Sequence, residues 1–260
     1  MTFSRIIDLP ESGYSRVNIN DAVALIDRAA IGPDYLPGHA HADTLSFELS
    51  LFGQRVIVNS GTSVYGISPE RQRQRGTATH STITIDGRNS SDVWGGFRVA
   101  QRAKVIYRKN VERDNLIYLS ACHDGYQSLA GKLVHCRGWR FFDRSLEIQD
   151  QINGYGTHSI ILVLPLHPDI KINHVAENQA FSDIGNNRVE FEFYGTGSLS
   201  LEKSTFHPEF GLSIENSQLI FKFFGLVPTE IKKSPRIIFH PTERFYEVMI
   251  FLQTEFKIVT

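Results

Sequence analysis

Apolar and polar residues alternate at period two through most of this chain, with Gly, Asn, Asp and Pro between the runs. That period puts successive side chains on opposite faces of an extended backbone. "STITIDG", "RVAQRAKVIYRK", "RSLEIQDQI", "NRVEFEFYG", "LIFKFFG" and "YEVMIFLQTEFKIV" all read as half-buried strands. "SFELSLFGQRVIVN" reads as a hairpin turning at Phe52 to Gln54. "HSIILVLPL" is continuously apolar, as expected of a strand covered on both faces. "DAVALIDRAA" fits a short helix or a strand. "GISPERQRQRGTATH" (Gly66 to His80) is the clearest irregular excursion, long, polar and basic; long loops on rigid sheets often carry function, and a solvated charged loop is the simpler reading. Many short strands without alternating helices predict an all-β fold, a large antiparallel β-sandwich with little helix, as one domain over residues 1–260.

The composition narrows the partners. With 41% hydrophobic and 21% charged residues the chain is an ordinary globular one, and a formal net charge of -1 gives no reason to expect nucleic acid or an anionic membrane. No run approaches the roughly 20 apolar residues of a membrane helix, and "MTFSRIIDLP" lacks the apolar centre of a secretory signal. Cys122 and Cys136 lie in neighbouring strand-like runs. A hairpin turning near Ser128 to Gly131 sets them opposite each other, as a cross-strand disulfide or as two thiols.

The candidate chemistry begins at "GHAHADTLSFELSLFG". In extended backbone His39, His41 and Asp43 share one face. Three proton-active side chains there make either a solvated strand end or a metal or acid/base site. Read together, "IGPDYLPGHAHADTLSFELSLFGQRVIVNSGTSVYG" and "RQRQRGTATHSTITIDGRNSSDVWGGFRVAQRA" resemble the C-terminal β-sandwich of heparinase II/III-like polysaccharide lyases. The likeness continues more loosely through "ACHDGY" and rests on strand pattern beyond about residue 145.

The resemblance implies a bacterial lyase acting on uronate-containing polysaccharide by β-elimination, in the periplasm or cell envelope. A carboxylate must be neutralised, a base must take the C5 proton, and an acid must protonate the departing oxygen. The family puts its main tyrosine on an N-terminal (α/α) toroid, for which this chain has no room, so the chain alone is expected to turn over little or no substrate. A non-catalytic carbohydrate-binding or exopolysaccharide-assembly module is the alternative. A metal-dependent hydrolase is a weaker third reading, with Asp43 its only nearby base.

Residue by residue, the resemblance gives His39 the place of the histidine that faces the substrate cleft. His41 and His80 take the places of zinc-ligand histidines, and Asn59 in "VNSGT" stands where the family has the third ligand, an aspartate. A neutral amide is a poorer zinc donor, so any zinc is expected to bind weakly. Asp43 is read as a carboxylate that orients a histidine rather than as a ligand. Tyr65 and Arg75 lie where the family faces its cleft: Tyr65 can exchange a proton or be an aromatic packed at a turn, and Arg75 can grip a carboxylate or be a solvated charge. His123 and Asp124 read as turn residues, and Trp94 to Phe97 as a bulge with aromatic cover. His135, His158, His167, His174, His207 and His240 show no partner pattern.

Overall fold

The computed structural model describes residues 5–113, 116–230 and 236–241. In chain order the elements are β1 (Ile6–Leu9), β2 (Tyr14–Ile19), β3 (Ala22–Asp27), β4 (Phe47–Leu51), β5 (Gln54–Ile57), α1 (Pro69–Arg75), β6 (Ile83–Ile85), β7 (Val93–Trp94), β8 (Arg98–Val99), β9 (Val105–Arg113), β10 (Leu116–Tyr126), β11 (Leu133–Phe142), β12 (Ser145–Pro165), β13 (His174–Ala176), β14 (Gln179–Ile184), β15 (Asn187–Glu192), β16 (Ser198–Phe206), β17 (Ile214–Glu230) and β18 (Arg236–Pro241). The run 246–259, read above as a strand, lies outside the described residues.

Strands β1 to β5 form one antiparallel meander. Its last hairpin turns on Phe52 (φ 53°) and Gly53 (φ 78°), the paired positive-φ geometry that matches strand twist. A larger sheet runs β13-β14-β15-β18-β12-β11-β10-β9, with β17 and β6 also on β12 and β16 on β17. Alternate residues of the two sheets meet in one core: Phe47, Leu49 and Leu51 of β4 belong to the same apolar cluster as Trp139, Phe141, Leu146 and Ile148. The fold is the expected antiparallel sandwich.

Several local expectations change. "DAVALIDRAA" is strand β3 up to Asp27. "RSLEIQDQI" and "HSIILVLPL" are one strand of 21 residues, β12, whose pairing slips between Ile152 and Gly156. "RVAQRAKVIYRK" is interrupted: β8 ends at Val99 and β9 starts at Val105, because Ala100 and Asp92 pair instead across the short β7–β8 hairpin. Cys122 and Cys136 are register partners on β10 and β11 and form a disulfide. The basic excursion is not a solvated loop. Ser68 caps α1 by accepting from Arg71 N (3.1 Å), Pro69 follows it, and Arg71, Gln74 and Arg75 are buried.

Candidate functional site

The segment between β3 and β4 decides the site. Pro37–His39 form a 3₁₀ turn, so the backbone bends where extended geometry was expected. The bend separates the residues of the motif. His39 turns out to the surface, and its Nδ1 lies 3.1 Å from the Tyr65 hydroxyl, the two rings meeting edge to face. His41 and Asp43 turn the other way, toward His80. His39, His41 and Asp43 therefore do not share a face.

Two helical arginines hold this bend. Arg71 and Arg75 are four apart on α1 and so point to one side, where both are fully buried. Arg71 donates to Gly38 O (3.0 Å), Gly96 O (3.3 Å) and Thr62 Oγ1 (3.1 Å). Arg75 donates to Ala40 O (2.8 Å) and Arg98 O (3.2 Å), and its own carbonyl accepts from Ala42 N (2.8 Å). This corrects the expectation for Arg75: its buried Nε and Nη2 donate to backbone carbonyls beneath the site, Nη1 has no partner among the described residues, and the group is neither solvated nor paired with a carboxylate. Sequence reasoning missed Arg71 altogether. The signal was present in Ser68-Pro69-Glu70, a helix start, followed by arginines at helical spacing.

His41 Nδ1 and His80 Nε2 face each other at 3.3 Å. Two nitrogens of a tetrahedral zinc shell, at Zn–N of about 2.0–2.1 Å, are separated by about 3.3–3.4 Å. The outer ring nitrogens are engaged: His41 Nε2 lies 3.0 Å from Thr62 Oγ1 and 3.3 Å from Arg71 Nη1, which donates to it, and His80 Nδ1 lies 3.1 Å from Asn59 Oδ1. Asn59 thus meets His80 at the nitrogen that does not face His41. The carry-over of Asn59 as third ligand fails on this geometry; its place is that of the carbonyl that fixes a ligand histidine's tautomer. The donor atoms of His41, Asp43 and His80 all lie within 4.8 Å of one another, and among the described residues Asp43 forms no ion pair. A His/His/carboxylate set of this kind fits zinc chemically.

Burial sets the charge states of the cluster. Burial, reinforced by His80 and Arg71, lowers His41 to about 2, and burial lowers His80 to about 4, so both imidazoles are neutral at neutral pH. Burial raises the Asp43 carboxyl to about 7.

Other histidines also find partners. His123 and His135 join Asp150 and Arg137 in a buried network, so His123 is not a turn residue. His158 contacts Asp86 at 2.7 Å, and His207 contacts Glu70 at 3.3 Å.

A model of heparinase II/III-like C-terminal domains matches residues 3–239. The chain belongs to that family. Among solved structures, the heparan sulfate lyase HepC from Pedobacter heparinus superposes with a TM-score of 0.75 at 18% identity, over 93% of this chain and 37% of that one. A heparinase III gives 0.65 at 16% identity, over 88% and 35%. A 4-alpha-glucanotransferase from Thermococcus litoralis gives 0.50 at 10% identity, over 90% and 38%. At such identities the likeness is one of fold, and this heparinase II/III-like chain spans little more than a third of each. No curated relative matches.

Proposed function

We propose that this domain lines the substrate cleft of a lyase that cleaves uronate-containing polysaccharide by β-elimination, with His39 and Tyr65 as the pair that meets the sugar. One observation carries the reading: an exposed imidazole and an exposed phenol 3.1 Å apart, on a bend fixed from beneath by two buried arginines. Family membership supports it. Nδ1 of His39 faces the tyrosine, and among the described residues no hydrogen bond occupies Nε2. That nitrogen can accept the C5 proton or donate to the uronate carboxylate. In the elimination, the C5–H electrons form the C4–C5 double bond, the C4–O bond breaks, and the departing oxygen takes a proton. Tyr65, sharing a hydrogen bond with His39, is placed to pass one. His41, His80 and Asp43 would hold a zinc ion with Asn59 behind His80, and such an ion would serve structurally, tying the bend before Thr44 to the turn at His80.

The test is ultraviolet detection of the unsaturated uronate formed from heparan sulfate and alginate. It compares this chain alone with the chain fused behind the helical domain of a family lyase. The fusion is expected to produce it, the chain alone little or none. In the fusion His39→Ala or Tyr65→Phe should lower the rate by at least about 100-fold. Turnover by the fusion that is indifferent to both substitutions would overturn the assignment. A carbohydrate-binding module is the second reading, favoured by the exposed rings of Tyr65, Phe97 and Phe210. It predicts binding without product in either form.

A further inference from the structure

Tyr65 is the middle of a row. Its ring lies parallel to Phe97 within 9°, centroids 6.2 Å apart, and parallel to Phe210 within 16°, centroids 5.7 Å apart. All three are well exposed: 46% for Phe97, 42% for Tyr65 and 69% for Phe210. Single exposed aromatics are ordinary. Three parallel ones from distant parts of the chain are not, because exposed rings gain little by aligning unless the backbone places them.

Here the backbone does so by close approach. Gly96 has φ +76°, and a Cβ there would come within 2.3 Å of Gly66 O, so only glycine lets the Phe97 turn lie against the residue after Tyr65. On the other side Gly61, also at φ +76°, would put a Cβ 1.9 Å from His207 O. That contact, with His207 N donating to Ser60 O (2.6 Å) and Gly211 N to Ser63 O (2.8 Å), seats the Phe210 loop beside Tyr65. From below, the Arg71 guanidinium lies 4.9 Å from the Tyr65 ring centre while binding Gly96 O. Gln74 fixes Ser63 by accepting from its N–H (2.9 Å) and donating to its hydroxyl (2.8 Å).

We propose that the exposed rings of Phe97 and Phe210, each stacked on Tyr65, form a shelf for the saccharide chain, a subsite that carries the sugar past His39. This rests on the reading of His39 and Tyr65 as the sugar-facing pair. A pyranose presents C–H bonds on one face and hydroxyls at its rim. The positive hydrogens meet the negative face of an aromatic ring, and the hydroxyls stay in water. A row of parallel, half-wet rings suits that amphipathic ligand better than a protein face, which needs a continuous apolar patch. The charge nearby has the matching sign for a uronate. Arg98, on the same hairpin as Phe97, is exposed, stacks 4.6 Å from the centre of the Trp94 ring, and forms no ion pair among the described residues.

The experiment is calorimetric titration of the 260-residue chain with uronate hexasaccharides cut from heparan sulfate and from alginate. Phe97→Ala and Phe210→Ala should each weaken binding about 3- to 10-fold, with the melting temperature unchanged because both rings are exposed. Phe97→Leu and Phe210→Leu keep apolar area but remove the ring face, and should weaken binding nearly as much. The shelf is overturned if wild type binds neither hexasaccharide, or if the Ala or Leu variants bind like wild type. If they lose affinity while the fused protein forms no unsaturated product, the shelf stands and the lyase reading falls.

Discussion

His41 and His80 meet at 3.3 Å, and His123 and His135 meet at 3.1 Å, yet the two pairs are built for different ends. The second pair is closed. Gly125 N donates to His123 Nδ1 (3.0 Å), His135 Nε2 lies 2.6 Å from Asp150, and Arg137 grips the same carboxylate with Nε and Nη2 at 2.7 and 2.8 Å. Burial alone would raise Asp150, but the Arg137 charge and the hydrogen bonds from His135 and Arg137 hold it well below the usual carboxylate range. Every imidazole nitrogen in that chain is engaged, and the carboxylate is paired with a cation. The first pair is open: its carboxylate has no ion-pair partner among the described residues and its two inner nitrogens stand at the spacing of a metal shell. Both imidazole pairs have every ring nitrogen engaged; what separates the clusters is the carboxylate, ion-paired at Asp150 and without an ion-pair partner at Asp43 among the described residues.

The closed cluster also steadies the open one. Arg137 Nη1 donates to Leu45 O (2.9 Å) and Ser81 O (2.6 Å), just beyond Asp43 and His80. Leu45 holds φ +67°, uncommon for a leucine, so the bend needs such a brace.

Breaking the closed cluster is expected to have the largest effect. Arg137→Met leaves Asp150 buried without its cation and should cost about 3–5 kcal/mol in denaturant unfolding. Reducing Cys122–Cys136, which closes a loop of 14 residues, should cost about 3 kcal/mol by the chain-entropy relation. Acid should then expose both clusters. Burial holds His123 and His135 below their ordinary values, as it does His41 and His80. Unfolded imidazoles take up protons below about 6.5 while these folded ones do not. The unfolded state therefore binds more protons, and stability should fall as pH drops below about 6.5. His158 and Asp43 work in the opposite sense. Burial lowers His158, but the hydrogen bonds to Asp86 and Tyr155 O and the Asp86 charge together raise it, and burial raises the Asp43 carboxyl to about 7. For both the folded state holds the extra proton, so their contribution falls as pH rises. Melting curves from pH 7 to pH 4 check the net fall. Saturating zinc should lower the midpoint pH of the loss at the open cluster and leave that of the closed one in place. The smallest effect is Thr62→Val, which removes the oxygen beside His41 Nε2 and should weaken zinc about 10-fold without unfolding the chain.

Much of this was legible in the sequence, and the failures share a cause. Period-two alternation found the strands, and the Ser128 to Gly131 turn placed Cys122 opposite Cys136. That same register sets His123 opposite His135 on the other face, so the closed cluster was readable one residue further along. The bend at Pro37–His39 was not, because alternation assumes extended backbone, and it wrongly grouped His39 with His41 and Asp43. The burial of Arg71 and Arg75 was hidden by composition: three arginines in the seven residues Pro69–Arg75 look solvated until a helix turns two of them onto carbonyls.

On the reading proposed above, the open cluster is a metal centre and the closed one is not. The most direct measurement is zinc per chain after dialysis against a weak chelator, for wild type, His41→Asn, Asp43→Asn, Asn59→Ala and His123→Asn. Zinc is expected in wild type and His123→Asn, loss in His41→Asn and Asp43→Asn, and a reduced but measurable share in Asn59→Ala. Wild type without zinc, or zinc that survives His41→Asn and Asp43→Asn, would contradict that reading.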